Sequence, residues 1–204
     1  MKYLIDPTKI TNYNLNKNEL ELHTLFWMLV AGKSAKTIAK SLNALLAKWH
    51  RKGYTPFDII RTIPNLIQEL QSHGIGCYNF KAKALHDLVS HNIDLKTCSV
   101  EELELIYGCG PKTARCILLH TRANQRLCGL DTHILKFIKD LGYDTPKSTP
   151  TGKKYRELEQ VFLGLCDNSG YSPAELDLAV WNAYSSKDAV AIQNLIKEFS
   201  VLVD

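Results

Sequence analysis

The chain has 204 residues, of which 45% are hydrophobic and 23% charged, with a formal net charge of +4. This is the balance of an ordinary soluble protein, large enough for one domain or two small lobes. No run approaches the length of a membrane span and "MKYLIDPTKITNYN" lacks the regions of a signal peptide, so no membrane partner is expected. The six cysteines stand singly at 77, 98, 109, 116, 128 and 166. Without a CxxC pair they argue for thiols in a reducing compartment, and against a disulfide framework or a metal site.

The hydrophobic period is helical nearly throughout. Leu22, Leu25, Phe26 and Leu29 make one apolar face, and Ile38, Leu42, Leu45 and Leu46 the next. Further helices are expected at 56–72, 79–91, 99–107, 111–122, 131–141, 153–167, 173–185 and 188–202. Ser99 with Glu102 and Ser172 with Glu175 read as capping boxes, and Pro173 suits a first helical position. Gly142 is placed to stop the helix that begins near Asp131. No alternating strand pattern runs beyond a few residues, so the expected fold is all-α. The segment "GYDTPKSTPTGKK", 142–154, is the candidate inter-lobe or DNA-facing loop.

Charge is unevenly distributed. From Leu22 through Phe57 there is no acidic residue, while Lys33, Lys36, Lys40, Lys48, Arg51 and Lys52 fall there; Lys147, Lys153, Lys154 and Arg156 form a second basic run. Such clustering suits a polyanion, and equally suits a solvated helix face. The "GKS" of "AGKSAKT" is no phosphate-binding loop, because Trp27 stands where that motif needs a glycine, and on a helix.

The informative stretch is "LELIYGCGPKTARCIL". A capped helix runs into Tyr107, Gly108 and Gly110 permit conformations closed to other residues, and Pro111 pre-sets the next helix. The result is a helix–turn–helix whose amides, at Gly108, Cys109, Gly110 and Thr113, face a helix N-terminus and suit a phosphate oxygen. The plain alternative is a helical corner punctuated by Gly and Pro. Lys112 then sits in the first turn, where the dipole opposes a cation. An amine nucleophile must shed its proton before attacking carbon, so that place suits a reactive lysine.

"IYGCGPKTA" followed by "GLDTHI" resembles the helix-hairpin-helix DNA glycosylases of the endonuclease III and 8-oxoguanine glycosylase superfamily. Their pattern reads roughly Leu-Pro-Gly-Val-Gly-x-Lys-Thr-Ala, then Val-Asp-Thr-His. The match runs from about Ser99 to Ile138, and "HGIGCYNFKAKAL" at 73–85 resembles the segment upstream of the hairpin. The resemblance implies two helical lobes with the active site in the cleft between them. One lobe would span 24–128 and end in the helix-hairpin-helix at about 99–122; the other would join 1–23 to 129–204 and carry the catalytic aspartate. It implies Lys112 as nucleophile and Asp131 as catalytic carboxylate. The reaction would be base removal followed by strand nicking through a lysine Schiff base, that of a bifunctional DNA glycosylase/AP lyase. Double-stranded DNA with a damaged base or abasic site would be the partner of a monomeric enzyme in the cytoplasm with the nucleoid, or in a nucleus. No iron–sulfur cysteine pattern follows the catalytic domain, so no cluster or other cofactor is expected, with room for a monovalent cation at the hairpin.

The base is less defined. Cys116, one turn beyond Lys112, and the 19-residue step from Lys112 to Asp131 resemble the 8-oxoguanine branch. A buried cysteine is also an ordinary core residue. "GCYNFKAK" instead resembles the endonuclease III loop that enters the duplex, with Cys77 or Tyr78 at its tip. Gly32 and Lys33 stand where endonuclease III relatives carry a gap-filling glutamine. His133 follows the Asp-Thr-His pattern and is either part of the site or a structural histidine. The alternatives to 8-oxoguanine excision are therefore an oxidised-pyrimidine glycosylase/lyase and a non-catalytic module that grips DNA backbone.

Overall fold

The computed structural model describes residues 4–201, and these are all-helical, with eleven α-helices and one short 3-10 turn, Pro7–Lys9. The ends of the expected second lobe, 1–3 and 202–204, and the last residue of the expected helix 188–202, lie outside the described residues.

Two compact units divide the chain, one ending at Arg122 and the other starting at Ala123. The boundary thus comes six residues before the expected 128, and the segment before residue 24 groups with the first unit, not the second. Hydrogen bonding gives the reason: the Asn12 amide donates to the His120 carbonyl, 2.9 Å, which ties the N-terminal segment to the end of α7.

In the first unit, α1 (Lys17–Val30) packs against α2 (Ala35–Lys48), α3 (Pro56–Thr62), α5 (Tyr78–Ser90) and α7 (Pro111–Thr121). Its Leu25, Phe26 and Leu29 are buried, as are Ile38, Leu42, Leu45 and Leu46 of α2, the two faces read from the sequence. The expected helix 56–72 is two helices, α3 and α4 (Leu66–Ser72). Pro64 disfavours helical backbone at Ile63, which is extended at φ −73°, ψ 114°, and Asn65 caps the restart. The expected helix 99–107 is shorter too. It is α6 (Val100–Glu104), closed by turns through Tyr107.

The second unit centres on α10 (Pro173–Ser186), which packs against α8 (Thr132–Asp140), α9 (Gly152–Ser169) and α11 (Ala189–Ser200). Phe137, Phe162, Leu176, Val180 and Phe199 form its core, with Phe137 and Phe199 edge to face at 5.4 Å. The capping boxes at Ser99 and Ser172 are both present, and Gly142 follows the end of α8 at φ 95°. The 142–154 loop is bound to its own unit: Thr145 Oγ1 donates to the Leu135 carbonyl at 3.2 Å, and Thr149 Oγ1 to that of Leu130 at 2.8 Å. None of the helices among the described residues is long and apolar enough to cross a membrane.

The core histidine His23 couples stability to pH. Burial pushes the His23 imidazole on α1 down from 6.5 to about 4; Glu19 opposes the shift and His120 adds to it. Below pH 6.5 the unfolded chain takes up this proton and the folded chain does not, so stability is complete above that pH and is lost as pH falls toward 4. The loss is at most about 3 kcal/mol for a shift of this size. The urea midpoint should therefore fall more steeply between pH 6.5 and pH 4 in the native sequence than in His23→Leu. Parallel curves would show that His23 is not the group responsible.

Candidate functional site

The hairpin is held from both sides. Ser99 and Glu102 close the capping box on α6, and Arg115 of α7 pairs with Glu104 at 2.8 Å. Asp87 of α5 accepts the Tyr107 amide at 2.7 Å, and beside it Tyr107 lies 5.2 Å from Phe80 and 4.1 Å below the Lys83 ammonium. Gly108 takes φ 80°, and a Cβ there would stand 2.8 Å from the Ala84 Cβ. That glycine is required twice over, by backbone conformation and by the close approach of α5.

Gly110 differs. At φ −83°, ψ 179° it has ordinary extended backbone, and nothing lies within 4 Å of an added Cβ. The conformational reason expected for both glycines thus holds only for Gly108. Cys109 also departs from expectation. Its amide donates to the Ile106 carbonyl at 2.9 Å, so it closes the turn and is not offered to a ligand. Its side chain is buried, which pushes the thiol up to about 12. Gly110 is the N-cap of α7 and supplies no side-chain cap, which leaves the first-turn amides, including those of Lys112 and Thr113, without a side-chain acceptor.

Lys112 is half-buried, and its Nζ lies 5.4 Å from the centre of the Trp27 ring on α1. Thr113 and Cys116 are buried, with Cys116 one turn beyond the lysine. Far along α7, Arg122 anchors the helix end by donating to the Cys98 carbonyl at 2.6 Å and that of Leu95 at 2.9 Å.

A second part of the first unit brings together the other residues singled out in the sequence. The turn holding Gly32 and Lys33 lies against the one holding Gly76 and Cys77: a Cβ on Gly76 would collide with the end of the Lys33 side chain. Cys77 is exposed and left-handed at φ 56°, and it opens α5 without a side-chain cap; Tyr78 next to it is half-buried. Lys81 of α5 donates its ammonium to the Leu29 carbonyl in the last turn of α1. It is only 3% exposed, and desolvation lowers its pKa. The two turns are thereby held by one buried lysine.

In the second unit Asp131 is the N-cap of α8. Its Oδ1 accepts the amides of His133 at 2.8 Å and Ile134 at 2.9 Å, and the His133 ring is half-buried. The strand-like approach to it is fixed by side chains. Tyr155 Oη donates to the Cys128 carbonyl at 2.7 Å and accepts the Leu130 amide at 3.2 Å, while buried Glu159 accepts the Cys128 amide at 3.0 Å. No group of three or more His, Cys, Asp or Glu side chains with metal-holding geometry occurs among the described residues.

Trp27, His120 and Lys81 were not legible as site residues. Each reads as an ordinary member of a helical pattern, and only folding places an indole beside Lys112 or a lysine under the α1–α2 turn.

No known family model matches the sequence. The structure is similar to the crystal structure of Tm1821, the 8-oxoguanine DNA glycosylase of Thermotoga maritima, with a TM-score of 0.66 and 22% identity over 85% of this chain and 83% of that one. At that identity the likeness establishes a shared all-helical fold, in agreement with the fold implied by the hairpin and "LDTHI" motifs.

The two hairpin glycines give a direct test of this geometry. Gly108→Ala should lower stability by about 1–3 kcal/mol, from backbone strain and the Ala84 contact. Gly110→Ala loses only the preference of an N-cap for glycine over alanine, about 0.5–1 kcal/mol, and should lower the melting temperature by less than Gly108→Ala does. Equal melting temperatures for the two variants would refute the assigned hairpin conformation.

Proposed function

We propose that this protein is a DNA glycosylase with AP lyase activity, of the helix-hairpin-helix type, acting in base excision repair on an oxidised base. The observation that carries the reading is the amine of Lys112 in the first turn of a helix that opens on a glycine hairpin and has no side-chain cap. Uncapped amides and the helix dipole together favour a phosphate oxygen at the turn. A lysine placed there is within the reach of a sugar whose phosphate the turn holds. A module that only gripped backbone would explain the hairpin, but not the aspartate motif at the family's spacing.

In this reading a damaged nucleotide leaves the base stack before reaction. The neutral Lys112 amine attacks the sugar C1′. The C1′–N bond breaks with its electron pair going to the base, which departs with a proton. Ring opening gives the protonated Schiff base between Lys112 and C1′. Loss of a C2′ proton then drives out the 3′ phosphate with the C3′–O electron pair, and hydrolysis frees the lysine. Asp131 is assigned the carboxylate that stabilises the cationic sugar as the base departs. Its N-cap bonds hold the carboxylate in a fixed orientation without a metal.

Among oxidised bases we favour 8-oxoguanine. Cys116 stands one turn beyond Lys112, and the fold is that of a structure named as an 8-oxoguanine DNA glycosylase. The turns at Gly32–Lys33 and Gly76–Tyr78 are assigned to the strand opposite and to duplex entry, which the exposure of Lys33 and Cys77 supports.

Borohydride trapping on a duplex with one abasic site is the first test. The native protein should form a covalent adduct and Lys112→Gln should form none; absence of a native adduct would overturn the lyase assignment. Asn caps a helix as well as Asp does. Asp131→Asn should therefore keep the fold and bind the duplex with unchanged affinity, yet lose base excision by about 100-fold or more in single turnover, the scale of an electrostatic stabiliser. Undiminished excision would remove Asp131 from the mechanism.

A further inference from the structure

Lysine ends in a compact charge on four methylenes, and immobilising it costs rotamer entropy. A lysine nucleophile therefore needs something to hold its amine in line, and nothing in its own helix does so. The side chain facing the Lys112 amine is Trp27 of α1, at 5.4 Å from Nζ to ring centre.

The indole is itself held. His120 of α7 stacks behind it at 5.2 Å and 13° between planes, and Phe26 meets it edge-on at 5.4 Å. His120 is fully buried and fixed at two points: Nδ1 is hydrogen-bonded to Thr11 Oγ1 at 2.7 Å, and its carbonyl accepts the Asn12 amide at 2.9 Å. The Trp27 Nε1–H is buried and has no hydrogen-bond partner among the described residues. The ring plane is therefore set by stacking and not by its polar edge, although a buried indole N–H ordinarily finds an acceptor. Leaving that donor unsatisfied costs stability, and the arrangement it permits is a flat aromatic face turned to the lysine.

We infer that Trp27, backed by His120 and Thr11, is the positioning residue for the Lys112 amine in the proposed reaction. The aromatic face attracts the ammonium before reaction and limits where the amine lies after it loses its proton. Trp27 makes no bond to the sugar. It narrows the set of positions from which Lys112 attacks, and misplacement of a reacting group by about 1 Å costs up to about 100-fold in rate.

The inference rests on the glycosylase/lyase reading, and trapping kinetics on abasic-site duplex separate the two. If the native protein gives no adduct, that reading fails and this one with it. If the native protein traps, Trp27→Leu should slow adduct formation at saturating DNA by about tenfold or more, while Trp27→Phe, which keeps an aromatic face, stays within about threefold. The duplex concentration for half-maximal rate should be unchanged in both, which a general loss of structure would not give. A Trp27→Leu rate equal to native, or a rate lost equally in Leu and Phe, overturns the positioning role while the enzyme assignment stands. Should Trp27→Leu fail to fold, Thr11→Val decides, because it leaves the indole and removes the Thr11 hydrogen bond to the imidazole behind it. Slower trapping at unchanged DNA affinity supports the inference, and native trapping overturns it.

Discussion

The close approach of Gly108 to α5 is the constraint on which the placement of the first unit's candidate site residues depends. A left-handed turn with no Cβ lets the chain reverse against Ala84 and Phe80. Asp87 of the same helix holds the next amide upstream. Only then does α7 start where its first turn meets α1, so that Lys112 faces Trp27 and Gly110 leaves the first-turn amides without a side-chain acceptor. Two different demands are met by two glycines separated by one residue. Gly108 makes the turn possible, and Gly110 keeps the helix entrance clear of side-chain atoms.

The helix starts divide by the same logic. Among the described residues, α1, α3, α4, α6 and α10 have a side-chain cap and an acidic residue in the first turn, which complements the positive end of the dipole. Helices α2, α5, α7 and α9 have neither, and each carries lysine in its first four residues: Lys36, Lys81, Lys112, and Lys153 with Lys154. Stability alone would not choose lysine at an uncapped start. In the proposed function an external polyanion would supply what the missing caps and acids do not, and all four starts adjoin segments singled out in the sequence, α9 through the 142–154 loop. Lys81 is the exception that is not open to solvent: it satisfies a carbonyl of α1, and the turn above it carries the exposed Lys33.

Helical class, the two capping boxes and most helix spans were legible because each is a local pattern. Pro64 was equally visible, and reading through it merged α3 and α4 into one helix; a proline and an asparagine in succession mark a stop and a restart. The grouping of the segment before residue 24 was not legible, since it depends on a hydrogen bond across 108 residues of sequence, from Asn12 to His120. Lys112 and Asp131 could be picked out from motifs. Trp27 could not, because a tryptophan on an apolar face reads as core until the facing helix is known. The amide of Cys109 was assigned outward from the motif's outline, whereas turn geometry directs it to Ile106.

The central claim is that one particular amine, among the chain's many lysines, bonds to the sugar. The direct measurement is to reduce the protein–DNA adduct with borohydride, digest it, and locate the sugar remnant by mass spectrometry. The account predicts the remnant on the peptide containing Lys112, with no other peptide modified. A remnant on Lys81, Lys33 or any other amine, with Lys112 unmodified, would contradict it.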